Sequence, residues 1–196
     1  MALLTRILAH IDFLEESLAQ LQGEMEPYLT PFEEAMELVQ SVVGIGQTAA
    51  ANIIAEIGAD MTRFASDKHI ASWAGVCPGN HESAGKRKSG QPTKGNKSLR
   101  TVLVEAAWAA THAKGTFLQA KYQRLVKRMP KQKALGAVAH RLLVISYHLL
   151  SRRVPYAELG SDYGNRQHLE RQRRRLVERL EELGVTVTIE KVVEAA

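Results

Sequence analysis

The chain has 196 residues, a formal charge of +5 and one cysteine, Cys77. That is the length of one ordinary domain, or of a domain with an extension. A single thiol excludes an internal disulfide, so a reducing cytoplasm is the expected compartment. No apolar run approaches the roughly 18 to 20 residues of a membrane span, and the first residues lack the layout of a signal peptide.

Residues 1–24 carry Leu4, Ile7, Ile11, Leu14, Leu18 and Leu21, a three-four alternation with charged and polar residues between. This is a heptad seam, and it predicts a long helix that pairs with another helix. Pro27 and Pro31 are expected to end it and to start a second helix from Phe32 to about Gln40. Gly44-Ile-Gly46 then separates that helix from the Ala- and Ile-rich stretch that ends at Gly58. The pattern reads as a helix-hairpin-helix. Gly44 and Gly46 allow a tight turn, Ile45 plugs between the helices, and the amides of the next helix start are free to hold a DNA phosphate.

Ser66 or Asp67 caps a short helix from Lys68 to Ala74, with Ile70 and Trp73 expected to pack inward. Pro78 to Arg100 follows, basic and rich in glycine. From Ser83 to Val104 no residue is acidic, while Lys86, Arg87, Lys88, Lys94, Lys97 and Arg100 all fall within it. The glycines and prolines exclude a long helix, so the stretch is expected to be a loop. Clustered cations without an apolar face suit a nucleic acid better than a membrane surface; the plainer alternative is a solvated basic surface.

Leu99 to about Lys114 is apolar nearly all round and reads as a central helix; Gly115 ends it. Phe117 to Arg128, with Phe117, Tyr122 and Leu125 facing inward, and Lys133 to about Ser151 complete the core. Residues 156–165 read as a loop. Residues 166–183 form a basic helix containing Arg173, Arg174 and Arg175, and Val185 to Ile189 alternates like a short strand. The expected fold is all-α: coiled-coil and linker helices over 1–40, a compact domain over 41–151 and a tail over 152–196.

The chemistry centres on Ser83, a hydroxyl at the edge of the cations. Phosphoryl transfer is governed by positioning and by neutralising charge on the transferring group. Lys86, Arg87, Lys88 and Arg100 around a DNA phosphate would let Ser83 attack it, and His81 is a candidate base. The alternative is a loop serine bonded to its own turn. No histidine, cysteine or carboxylate spacing marks a metal site.

Several strings in the chain carry a resemblance. Gly44-Ile-Gly, Trp73-Ala-Gly, Cys77-Pro-Gly-Asn, Glu82-Ser-Ala-Gly-Lys-Arg-Lys-Ser-Gly, Lys94-Gly-Asn and Ala137-Val-Ala-His resemble the C-terminal transposase domain of the IS-one-ten insertion-sequence family, with which the Piv-type DNA invertases belong. The match runs from about residue 40 to 150. It implies DNA cutting and rejoining, with the family's catalytic serine mapping onto Ser83. It also implies a magnesium-binding, acidic RuvC-like domain, a coiled coil that assembles a dimer or tetramer, and in some members a bridge RNA as guide. The acidic domain has no counterpart here. The sequence is therefore expected to be the serine-bearing half of a composite site, inactive by itself. The competing expectation is an inactive nucleic-acid-binding and oligomerisation module.

Overall fold

A computed structural model of the chain describes residues 2–77, 81–89, 93–184, 186 and 188, with His81, Glu82 and Lys86–Ser89 described in backbone only. Helices build it: α1 (Ala2–Leu29), α2 (Glu33–Gln40), α3 (Gln47–Ile57), α4 (Asp67–Trp73), α5 (Lys97–His112), α6 (Phe117–Val126), α7 (Lys131–Arg152) and α8 (Tyr163–Glu182). The all-α expectation is met, with one exception. A small antiparallel hairpin, β1 (His81–Ser83) and β2 (Lys86–Ser89), stands inside the stretch expected to be a loop. The strand expected over Val185–Ile189 has residues 185, 187 and 189 outside the described residues; Thr186 and Thr188 carry no regular structure.

The core lies around α5 and α7, which pack on each other; α5 also meets α3 and α6, and α7 meets α2, α4 and α6. Its centre is filled by Leu99, Leu103 and Ala107 of α5, Val138, Ala139, Leu142 and Leu143 of α7, and Ile53 and Ile57 of α3, all essentially inaccessible. Alanines at 106, 107 and 110 keep one face of α5 thin, so neighbours approach its backbone closely. The length and apolarity of α7 would suffice to cross a membrane, yet half of that window is buried inside the protein. Both tryptophans lie at the surface, Trp73 against expectation. Trp73 and Trp108 are 42% and 54% exposed, while Ile70 of α4 is fully buried. Trp73 rests on Phe64, and Trp108 meets His112 edge-on, so each ring has a partner without entering the core.

Pro27 does not end α1, which continues to Leu29 before a 3-10 turn over Thr30–Phe32 that contains Pro31. A proline one turn from a helix end removes a single bond, here to the Gly23 carbonyl, and Gly23 is exposed to solvent. The heptad side chains of α1 are exposed along its length, from Leu4 at 59% and Ile7 at 49% to Leu21 at 54% and Met25 at 51%. At the other end, residues 156–163 do not hang free. Tyr156, Leu159 and Tyr163 pack on the core, and Glu158 Oε1 accepts hydrogen bonds from Phe117 N (2.8 Å) and Gly160 N (3.0 Å).

The turn between α2 and α3 is fixed by its packing on α5. Gly44 has φ +96°, and a Cβ there would lie 2.6 Å from both the Ala106 oxygen and the Ala110 nitrogen. Ile45 is buried beside it. Left-handed strain and overpacking together make Gly44→Ala cost about 2–5 kcal/mol. Urea unfolding of the variant should show that loss, whereas Gly46→Ala, which meets nothing within 4 Å, should change stability by less than about 1 kcal/mol.

Candidate nucleic-acid interface

The basic stretch leaves and re-enters the core at one point. Helix α4 begins with Ser66 Oγ accepting from His69 N at 3.2 Å. It ends in a Schellman motif: Gly75 N donates to the Ser72 carbonyl (3.1 Å) and Val76 N to the Ala71 carbonyl (3.2 Å), with Gly75 at φ +69°. A Cβ on Gly75 would lie 2.8 Å from the Thr93 oxygen and 2.8 Å from Gly95 Cα; one on Gly95 would overlap the backbone of Ala74 and Gly75. The two glycines thus place their backbones directly against each other, and any side chain at either position would force them apart.

Asn96 locks the return. Its Oδ1 accepts from Leu99 N at 3.0 Å, capping α5, and its Nδ2 donates to Glu56 Oε2 near the end of α3. Trp73-Ala-Gly and Lys94-Gly-Asn, far apart in sequence, are the two halves of this clasp. Local pattern does not reveal that they touch. The signal available for it is a glycine preceding an N-cap asparagine.

Between the halves stands the hairpin. Ser83 pairs with Lys86 and Glu82 with Arg87, while His81 pairs with Ser89, which leaves Lys88 as an extra, bulged residue. Ala84 (φ +51°) and Gly85 (φ +73°) form the two-residue turn. Positive φ at both central positions is the type I′ geometry that matches the twist of paired strands. Gly85 adopts it freely, whereas alanine in the left-handed region costs about 1–2 kcal/mol. Ser83, immediately before the strained alanine, has an exposed side chain. For Lys86, Arg87 and Lys88 the backbone register is what is described. Lys94 and Lys97 are exposed, and Arg100 is half-buried one turn into α5.

In the chain, Ser83 and Lys86–Lys88 fall between the two halves of the clasp and Lys94–Arg100 at its return, whereas Gly44 and Gly46 lie elsewhere. The antiparallel packing of α3 and α5 puts the α2–α3 turn beside Ala106 and Ala110. The start of α5 lies roughly 15 Å away along the axis at 1.5 Å per residue. Gly46 is the N-cap of α3, without a side-chain cap, and Gly44 is occupied by packing. Cys77 is half-buried, and burial raises its thiol pKa above the usual range. Among the described residues no three histidine, cysteine or carboxylate side chains converge as metal ligands.

Residues 36–123, somewhat under half of the chain, match the model described as Transposase IS116/IS110/IS902 family. A probable family 20 transposase of Pseudomonas aeruginosa is 28% identical over 79% of this chain and 46% of its own length. The pilin gene-inverting protein of Moraxella bovis is 30% identical over 61% of this chain and 38% of its own. The transposase for insertion sequence element IS1328 of Yersinia enterocolitica is 29% identical over 54% and 31%. The chain spans between about a third and a half of the length of these relatives.

Removing the Asn96 side chain takes away a cap and the tie to Glu56. Asn96→Ala is expected to cost about 1–2 kcal/mol. Hydrogen exchange should speed up in the first turn of α5 and around the hairpin while the α5–α7 core stays protected.

Proposed function

We propose that this chain is the serine-bearing part of a transposase or site-specific recombinase that cuts and rejoins DNA. The exposed Ser83 hydroxyl beside the type I′ turn, inside a stretch with six cations and no counter-charge, carries the reading. Ser83 Oγ would attack a backbone phosphorus, forming a phosphoserine ester as the bond to the leaving DNA oxygen breaks. The serine proton passes to a base, for which His81 is the nearest candidate in sequence. The ester retains the energy of the broken bond, and a second DNA hydroxyl reverses the step to join the new strand. Lys86, Arg87, Lys88, Lys94, Lys97 and Arg100 would neutralise the phosphates, and the start of α3 at Gly44 to Gly46 would hold the duplex further along.

On this reading magnesium is supplied by an acidic RuvC-like domain that completes the site, and a bridge RNA is the guide. The exposed apolar seam of α1 supports self-association. Eight large apolar side chains, from Leu4 to Tyr28 at heptad spacing, stay in solvent in the single chain, a pattern that helix pairing would bury.

The test is a covalent protein–DNA adduct, formed with the acidic domain, magnesium and guide RNA supplied. Ser83→Ala should abolish the adduct while leaving DNA affinity within about twofold; an adduct of parental yield removes Ser83 from the mechanism. Ile11→Asp with Leu18→Asp should convert the assembled chain to monomers in light scattering without lowering the melting temperature of the core. The second reading is a binding and assembly module without chemistry, favoured by the same α1 seam. It predicts salt-sensitive DNA binding and assembly, but no adduct under any of these conditions.

A further inference from the structure

A second concentration of positive charge lies away from the hairpin, in a cleft of about 690 Å³ between α6, α7 and the start of α8. Lys121 and Arg124 of α6, Arg128 in the turn just after it, Arg141 of α7 and Arg171 of α8 line it, and among the described residues no acidic side chain does. Among the described residues none of these five forms an ion pair. Nearby Glu158 points its Oε1 at two backbone amides.

Three observations show that the charges are held together against their own repulsion. Arg141 Nε is buried without a hydrogen-bond partner, its guanidinium lying 5.7 Å from the Phe117 ring centroid. The guanidinium of Arg124 rests directly on Gly164, where even a Cβ would overlap it. Gly164 is in the first turn of α8, the positive end of that helix, which carries no acidic residue there; the N-cap Asp162 makes no side-chain cap bond. The ammonium of Lys121 is held below the usual lysine range, first by burial and then by Arg141 and Arg124. A buried donor without an acceptor and a cation on a helix N-terminus both call for an anion.

We propose that this cleft binds the phosphodiester backbone of a nucleic acid, with Lys121, Arg124, Arg128, Arg141 and Arg171 holding its phosphates, at a site separate from the Ser83 hairpin. The class of ligand rests on the function proposed above. The geometry adds that cations from α6, the turn after it, α7 and α8 line one cleft of about 690 Å³, more room than one phosphate fills.

The test uses the full chain with three probes: a 30-base-pair duplex, a single-stranded RNA of equal length, and inorganic phosphate. The cleft variant Lys121→Gln/Arg124→Gln/Arg128→Gln is compared with the hairpin variant Lys86→Gln/Arg87→Gln/Lys88→Gln. The cleft variant should bind at least one nucleic acid about tenfold or more weakly. Its slope of log affinity against log salt on duplex should flatten by roughly 0.9 for each phosphate no longer neutralised. Without ligand its melting temperature should equal or exceed the parent's, because mutual repulsion is relieved; a merely structural role would lower it. The charge-retaining variant Lys121→Arg/Arg128→Lys should keep the salt slope, and its failure to do so overturns the proposal. Parental affinity and slope in the cleft variant overturn it too, even where inorganic phosphate raises the parent's melting temperature. In that case, weaker binding in the hairpin variant alone leaves the hairpin reading standing. Weaker binding in the cleft variant alone supports the cleft and counts against the hairpin.

Discussion

Close backbone approach around α5 is the constraint on which the molecule depends. The face of alanines at 106, 107 and 110 lets the Gly44 turn sit against its C-terminal half. At its N-terminal end, Gly95 and Asn96 bring the basic stretch back onto α4 and α3. A larger side chain at any of these points would hold the elements apart, because interiors packed at crystal-like density yield little. The hairpin lies in the chain between the two halves of that clasp, and its own strands are short. An isolated two-stranded hairpin is marginal in water, and this one is closed by the Ala84–Gly85 turn directly after Ser83.

Charge is distributed by the same logic. Cations concentrate in two places, the hairpin with the start of α5, and the α6–α8 cleft, and no acidic side chain among the described residues lines the cleft. Ion pairs that are present lie elsewhere, such as Arg153 with Glu34 and Arg174 with Glu178. Holding like charges together without partners lowers stability, and the buried core of α3, α5 and α7 supplies the margin that tolerates it. The left-handed alanine after Ser83 is a second local cost at the proposed site, in keeping with strain gathering where a chain acts.

The N-terminal helix obeys a different rule. Its seam is regular, yet among the described residues α1 makes its chief contacts with the turn that follows it, and at its end Leu29 packs on the core. The 28 residues form a rod about 42 Å long at 1.5 Å per residue. Pro27 is tolerated because it lies in the last turn, and the apolar seam stays in solvent in the single chain.

Local pattern was enough to read the helices, the heptad seam, the cap at Ser66, the apolar α5 and the basic stretch with Ser83 within it, because period, capping and breakers act over a few residues. The strings that carry the resemblance were equally legible; Trp73-Ala-Gly and Lys94-Gly-Asn fall on the clasp, Glu82 to Ser89 on the hairpin, Gly44-Ile-Gly on the α2–α3 turn and Ala137-Val-Ala-His on α7. Tertiary structure decided what those strings do. Gly75 and Gly95 touch across 20 positions, Asn96 reaches Glu56 across 40, and Arg124 meets Gly164 across another 40; no local pattern encodes meetings of that span. It also decided that Gly44 serves packing on α5, that Trp73 and Trp108 stay at the surface, and that six cations on a flexible-looking stretch are anchored at one point. Those outcomes depend on which faces meet once the chain is closed, and that is settled by the volumes of side chains distant in sequence.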